Sequence, residues 1–495
     1  MLLPLQYKIM QMNTDNLSIS LSKGIACNPE YRLNNPIDFF LRKGQQLAVV
    51  GPNGAGKSLL INTILGKYQL MNNETVHLYG GIEGGDIRYI TFRDSYGSSD
   101  PYYYYQQRWN ATEMEDSPVI AKIFPKITDC KWRKQLFEFF DLSFIWKKQL
   151  VTLSSGEMRK YQLAKSLAGY PKVLIIDSPF IGLDVATREA LCNLLRRLAV
   201  ESKIQIITVV SRREDIAPFT THVLPVENKQ CGEIQPVRDY ISSQKTHCTK
   251  SIPTEEIKKM ITSLPSNDVE SQEIVCCNNV TLKYYKRVIL DNLCWTIYKG
   301  EHWALLGPNG AGKSALLSLI YADNPQSYGC DIALFGRKRG SGESIWEIKK
   351  HIGYVSPEMH RSYCRHIPAL DIVASGLHDS IGLYRKITNE ERESCKIWMK
   401  IFGVSELESR DFFNLSSGEQ RIILLARAFV KNPALLILDE PLHGLDENNR
   451  NLTMEVIKSF CSIPGKTLII VTHYPEELPS EIDHTKTLIR HNEQK

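Results

Sequence analysis

The sequence predicts an α/β fold laid down twice in tandem. Three observations carry this reading. The octapeptide GPNGAGKS occurs at 51–58 and again, letter for letter, at 307–314. Short apolar runs ending in aspartate, VLIID at 173–177 and LLILD at 435–439, follow in each copy. Between them, LSSGE occurs at 153–157 and at 415–419. From LSSGE onward the copies keep a constant offset of 262, while the octapeptides lie 256 apart, so a net six-residue difference falls between the two motifs. A period this long means repeated domains rather than a solenoid.

Each element has a physical reason. In each copy an apolar segment (QQLAVV, EHWALL) precedes the octapeptide and a helix-like one (LLINTILG, ALLSLIYA) follows it. That is the context a phosphate-binding loop of pattern GxxxxGK[ST] needs. Gly51, Asn53, Gly54, Ala55 and Gly56, with Gly307, Asn309, Gly310, Ala311 and Gly312 in the second copy, would turn backbone N–H groups toward phosphate oxygens. The helix N-terminus adds its positive dipole end. Lys57 and Lys313 would reach the β and γ phosphates of ATP, and Ser58 and Ser314 would bind Mg²⁺. A plain Gly-rich turn is the competing reading, and two intact copies in the right context argue against it. VLIID and LLILD read as buried parallel strands whose last residues, Asp177 and Asp439, emerge at the sheet's C-terminal edge to hold Mg²⁺ through water. LSSGE alone is a good helix start. Its fixed distance before each aspartate argues against coincidence.

Length and composition bound the rest. A chain of 495 residues exceeds what one core supports, and 43% apolar with 23% charged residues is ordinary for a globular protein. A net charge of +5 is too small for this size to argue for nucleic acid or an acidic membrane surface. The twelve cysteines form no CxxC pair and read as reduced, mostly buried thiols of a cytoplasmic protein. MLLPLQYKIMQMNTDN shows no signal-peptide pattern, and no apolar run approaches the roughly 20 residues of a spanning helix. Work at a membrane would therefore need another chain to span it. The polar stretch 227–274 divides the copies into a first domain over 1–235, a linker over 236–272 and a second domain over 273–495.

The set GPNGAGKS, LSSGE, LLILDEP, GLD and VTH resembles the ATP-binding cassette (ABC) ATPases over nearly the whole chain, twice. The resemblance implies two P-loop domains, each a mainly parallel sheet core with an antiparallel β subdomain and a helical subdomain. It also implies head-to-tail pairing, with Gly51–Ser58 facing Ser416 and Gly418, and Gly307–Ser314 facing Ser154 and Gly156. Tyr284 matches the family's adenine-stacking aromatic, against the competing reading of a core tyrosine, and the first domain has no clear counterpart. The stretch LFGRKRGSGESIWEIKKHIGYVS (334–356) is similar to the ModF/PhrA-type tandem ATPases, associated by name with molybdate uptake and photorepair. Taken physically, it is a basic, solvated face around a turn.

Three departures from the family pattern matter. IGYVSPEMH has Pro357 and Glu358 where most cassettes have glutamine, and the first copy has Phe92 or Arg93 there, so the coupling role of this loop is in doubt. The run Tyr102–Tyr105 reads as a loop packed on its own domain, with a partner surface or base-stacking platform as the alternative. Third, Ser178 stands where the second copy has Glu440, and Ser211 stands opposite His473. Glu440 would orient or deprotonate the water attacking the γ phosphate, and His473 matches the residue that contacts that phosphate. Serine lacks this basicity. The first copy thus keeps its phosphate loop and loses both catalytic residues, which predicts one site that mainly binds ATP and one that hydrolyses it.

Two functions fit. The first is the ATPase subunit of a transporter with separate integral membrane subunits, cytoplasmic or peripheral on the cytoplasmic membrane face. The second is a soluble ATP-driven switch on ribosomes, nucleic acid or another cytosolic partner. The soluble types resembled carry a long charged linker, inserted zinc modules or a cysteine-rich N-terminus, and this chain shows none of these. Transport is the expectation by elimination.

Overall fold

In the computed structural model each octapeptide joins a buried strand to a helix, and each half of the chain is built around that joint. The structure describes residues 16–90, 118–150, 153, 155–180, 183, 185–243, 253–284, 287–308, 310–363, 366–472 and 475–489. The chain divides into two compact units, one mainly from residues 1–248 and one mainly from 249–495.

The first unit contains strands β1 (Leu17–Gly24), β2 (Ile37–Arg42), β3 (Leu47–Val50), β4 (His77–Leu78), β5 (Ile87–Ile90), β6 (Val173–Asp177), β7 (Gln205–Val210), β8 (His222–Glu227), β9 (Gln230–Cys231) and β10 (Gln235–Pro236). β2, β1 and β4 form an antiparallel sheet. The main sheet runs β10-β8-β3-β7-β6-β5, with β8 to β5 parallel and β10 antiparallel at the edge. Central strands read as unbroken apolar runs because both faces are covered: VLII of β6 and all of β7 are buried. The longer helices of the unit are α1 (Lys57–Ile64), α2 (Cys130–Phe140), α3 (Ser155–Leu167) and α4 (Val185–Glu201). α2 starts where Asp129 accepts from the N–H groups of Lys131 and Trp132. Its Trp132 Nε1 donates to Leu167 O at 2.9 Å, tying α2 to the end of α3.

The second unit begins with helix α5 (Thr254–Thr262). Strands β11 (Glu273–Tyr284), β12 (Arg287–Tyr298), β13 (His302–Leu306), β14 (Ile332–Leu334), β15 (Arg337–Lys338), β16 (Ile352–Val355), β17 (Leu435–Asp439), β18 (Thr467–Val471) and β19 (His484–Thr487) follow. β12-β11-β14-β15 is an antiparallel sheet, and β16-β17-β18-β13-β19 is parallel throughout. Helix α6 (Lys313–Ile320) follows the second octapeptide. A helical layer comprises α7 (Pro357–Ser362), α8 (Ala369–Ser375), α9 (Asn389–Ile401) and α10 (Ser417–Phe429), and α11 (Glu447–Cys461) covers the sheet after β17. α9 opens with a capping box between Thr388 and Glu391, and its buried Trp398 packs on Phe429 of α10 with ring centroids 5.3 Å apart. The buried core of this unit is continuous from α5 through the parallel sheet into the helical layer. Both units therefore have the expected architecture: a mainly parallel core sheet, an antiparallel β subdomain and helices.

The stretch read as a linker, 236–272, differs at both ends: Val237–Ser243 is a helix of the first unit, with Tyr240 buried against Val50 and Val223, and the second half packs on the second unit. Within it, Ile257 and Ile261 of α5 lie on one face at helical spacing and are fully buried in the second unit's core. Thr254 Oγ1 donates to Glu455 of α11, and Asn267 Nδ2 donates to Lys431 O at 3.0 Å. The polar residues around the two isoleucines made a packed helix look like a spacer.

Candidate functional site

The phosphate loops fold as the glycines allow. Gly56 and Gly312, at φ 98° and 95°, cap α1 and α6 from the left-handed region, which only glycine enters without strain. A Cβ on Gly51 would stand 1.8 Å from the carbonyl oxygen of Val226, so the loop is pressed directly on β8. Lys57 and Lys313 are both buried and folded back over the loop. Lys57 Nζ donates to Gly51 O at 2.6 Å and Pro52 O at 2.8 Å, and Lys313 Nζ to Gly307 O at 2.6 Å and Pro308 O at 3.2 Å.

In the second unit the predicted residues converge. Asp439 ends β17 and is buried, and Ser314 Oγ donates to its Oδ2 at 3.5 Å. Glu440 follows in the left-handed region at φ 52°, held by its N–H on Val471 O at 2.9 Å. Burial first, and the negative Asp439 beside it second, hold the Glu440 carboxyl well above the usual carboxylate range. A carboxylate kept basic in this way suits proton abstraction from water.

In the first unit the same backbone carries different chemistry. Ser178 has φ 50° and its N–H bonds Val209 O at 2.9 Å, the same φ region and the same N–H bond as Glu440. Its hydroxyl donates to Asp177 Oδ1 at 2.9 Å, and Tyr89 donates to Asp177 Oδ2 at 3.3 Å. Ser211 Oγ donates to Asn53 Oδ1 of the phosphate loop at 2.8 Å. Both serines are thus bonded into the binding framework.

The LSSGE residues stand on another element. Ser416 caps α10, its Oγ donating to Glu419 Oε2 at 2.6 Å, and Gly418 is buried in the first turn. Gly156 lies in the first turn of α3. Tyr284 ends β11, with its side chain outside the described residues. Asn309, Ser154, His473 and Tyr102–Tyr105 also lie outside them. After β16 the departure from the family pattern has a structural form. Ser356 caps α7 with Pro357 at its first turn, and His360 Nε2 meets Gln420 Oε1 of α10 at 3.0 Å in the buried interior.

Three features escaped the sequence reading. Buried Arg421 of α10 donates through Nη2 to the carbonyl of Glu440 and, at 3.3 Å, to that of Asp439. His443 Nε2 lies 3.2 Å from Glu440 Oε2. Tyr31 stacks on Tyr68 in the first unit, with centroids 4.4 Å apart. Arg421 and His443 sit within or next to repeated motifs, and comparing the copies residue by residue would have flagged His443, since Ile181 stands in its place.

Comparison with known families decides the identity. The model described as ABC transporter matches residues 34–181 and 290–443, one stretch around each octapeptide. The chain belongs to the ABC transporter family. It is an ABC ATPase with two tandem ATP-binding domains. Among its relatives, the ABC transporter ATP-binding protein ModF of Escherichia coli (strain K12) is 35% identical over 90% of this chain and 91% of its own. An uncharacterized ABC transporter ATP-binding protein, C323.04, of Schizosaccharomyces pombe is 28% identical over 92% of this chain and 95% of its own. A solved structure described as a model of ribosome-bound archaeal Pelota and ABCE1 has a TM-score of 0.55 at 16% identity, covering 94% of this chain and 74% of that one. At that identity the likeness is one of fold. As an ABC ATPase close to ModF, the chain hydrolyses ATP. Among the described residues no helix is long and apolar enough to cross a membrane.

Proposed function

We propose that this ABC ATPase energises a transporter whose membrane-spanning subunits are separate chains, using two unequal ATP sites. The observation that carries the inequality is the pair of matched turns, one holding Glu440 and the other Ser178 hydrogen-bonded to Asp177. In this reading each ATP is bound by the phosphate loop of one domain and the LSSGE residues of the other. Gly51–Ser58 with Ser416 and Gly418 holds ATP. Gly307–Ser314 with Ser154, Gly156, Glu440 and His473 turns it over, and Tyr284 stacks on adenine.

Ser314 and Asp439 supply a hydroxyl and a carboxylate oxygen 3.5 Å apart, a donor set that suits Mg²⁺ beside substrate phosphates. Ser58 and Asp177 offer the same types in the first domain. Among the described residues no group of three or more His, Cys, Asp or Glu could hold a metal unaided. The ion would therefore share its ligands with the nucleotide. Mg²⁺, when bound, would neutralise charge on the β and γ phosphates. Glu440 then takes the proton of the attacking water, while Lys313 holds the phosphates in place.

The transport role is supported by the 35% identity to ModF across nine-tenths of both chains, since that relative carries the name of a transporter's ATP-binding protein. Fractionation of cells tests it. The chain should sediment with membranes, be released without detergent, and bring integral membrane proteins with it when purified from solubilised membranes. Sedimentation with ribosomes alone, reversed steeply by salt, would instead make it a soluble switch.

A further inference from the structure

We propose that His443 is a positioning residue for ATP hydrolysis, presenting a ring nitrogen to the carboxylate of Glu440 and fixing where that base points. The inference rests on the reading of Glu440 as the base. Its own support is geometric. In LLILDEPLHGLD the chain leaves β17 at Asp439 and turns back on itself at once. Glu440 takes a left-handed φ of 52°, and the N–H of His443 bonds Glu440 O at 3.3 Å, closing a tight four-residue turn. That turn brings the imidazole back over the carboxyl group from which it started. Nε2 of His443 lies 3.2 Å from Oε2 of Glu440, within ion-pair distance. Both side chains are buried, so water does not compete for this contact as it would at a surface.

The backbone of Glu440 is fixed separately, by its N–H on Val471 O and by Arg421 on its carbonyl. Those bonds set the Cα, and the contact with His443 acts at the far end of the side chain. A displacement of about 1 Å at a reacting group can reduce rate by about a hundredfold, so one contact at the carboxylate is enough to matter. The first copy agrees in sequence: where Glu440 is replaced by Ser178, His443 is replaced by Ile181, and no carboxylate remains to be held.

The experiment uses the full chain and three substitutions. His443→Ala should lower kcat for phosphate release about tenfold while KM for ATP stays within about twofold. His443→Gln, whose amide nitrogen reaches the same place as Nε2, should restore kcat to within about threefold of the parent. Retained ATP binding in both variants shows that the domain is folded. An unchanged kcat in His443→Ala overturns the inference, as does equal loss in the alanine and glutamine variants, or an effect on KM alone. Glu440→Gln separates the two readings. Should it leave turnover intact, Glu440 is not the base and the premise fails. Should it abolish turnover while His443→Ala does nothing, the premise stands and the positioning role is wrong.

Discussion

Glu440→Gln changes one oxygen to an amide nitrogen and leaves the side chain's size unchanged. Its backbone bonds, to Val471 O and from Arg421, survive the substitution. The phosphate loop is also untouched, because Lys313 rests on Gly307 O and Pro308 O. The variant should therefore fold and bind ATP as the parent does, and lose the group that accepts a proton. Removal of a general base typically slows a reaction by about 10²–10⁴, which is roughly 2.7–5.4 kcal/mol at 1.36 kcal/mol per tenfold. Ser178→Ala removes only a hydroxyl bonded to Asp177 at 2.9 Å, so turnover should change less than about threefold, as befits the loss of one hydrogen bond outside the reacting centre. The assay is steady-state phosphate release for each variant, with a count of nucleotides retained per chain. Glu440→Gln should hold more ATP and release almost no phosphate. Equal slowing by the two substitutions would refute the reasoning, since the first site would then be hydrolysing through groups other than a glutamate at this turn.

Other outcomes follow from the same structure. Lys313→Ala should stop hydrolysis, whereas Lys57→Ala should mainly weaken nucleotide retention; comparison of turnover with bound nucleotide separates them. Because burial and Asp439 raise the Glu440 carboxyl, hydrolysis should fall on acidification at a pH well above the ordinary 4.5 of a glutamate; a pH–rate profile whose acid limb lies at or below 4.5 would count against Glu440 as the base. Lys431 is buried on Asp379 and also donates to Lys349 O at 2.6 Å. Lys431→Met leaves Asp379 buried without its cation and should destabilise the second unit by about 3–5 kcal/mol, read by denaturant unfolding, with Asp379→Asn added to recover part of the loss. Ile257→Ala in α5 should destabilise the same unit by about 2–4 kcal/mol through a cavity; an unchanged melting profile would mean that α5 is dispensable.

What the sequence disclosed was whatever depends on short, rigid spacing. A phosphate loop needs glycines at fixed positions between a strand and a helix, so both loops and the α1 and α6 helices were readable in advance. Buried parallel strands announce themselves by apolar runs, and Asp177 and Asp439 stand at the strand ends as expected. What stayed hidden depends on contacts between distant segments. Helix α5 carries only two core isoleucines among charged residues, and its partner α11 lies about two hundred residues away in the chain. Arg421 acts on carbonyls at the end of β17, which nothing in its neighbourhood of the sequence indicates. His443 was hidden for a different reason: a tight turn, rather than spacing along a helix or strand, brings it to Glu440.

The two serines of the first unit also bear on how this site can change over evolutionary time. Ser178 is anchored on Asp177 and Ser211 on Asn53. Restoring glutamate at 178 would break the first bond and set a second negative charge beside Asp177, with no histidine at 211 to share the work. Restoring histidine at 211 would break the second bond while no base waits at 178. On the proposed reading, Ser178→Glu or Ser211→His alone loses an existing contact while the other proposed catalytic residue is still missing. The site is held in its present state from both sides, like a ratchet with two pawls, although its backbone at Ser178 still has the shape of the glutamate turn.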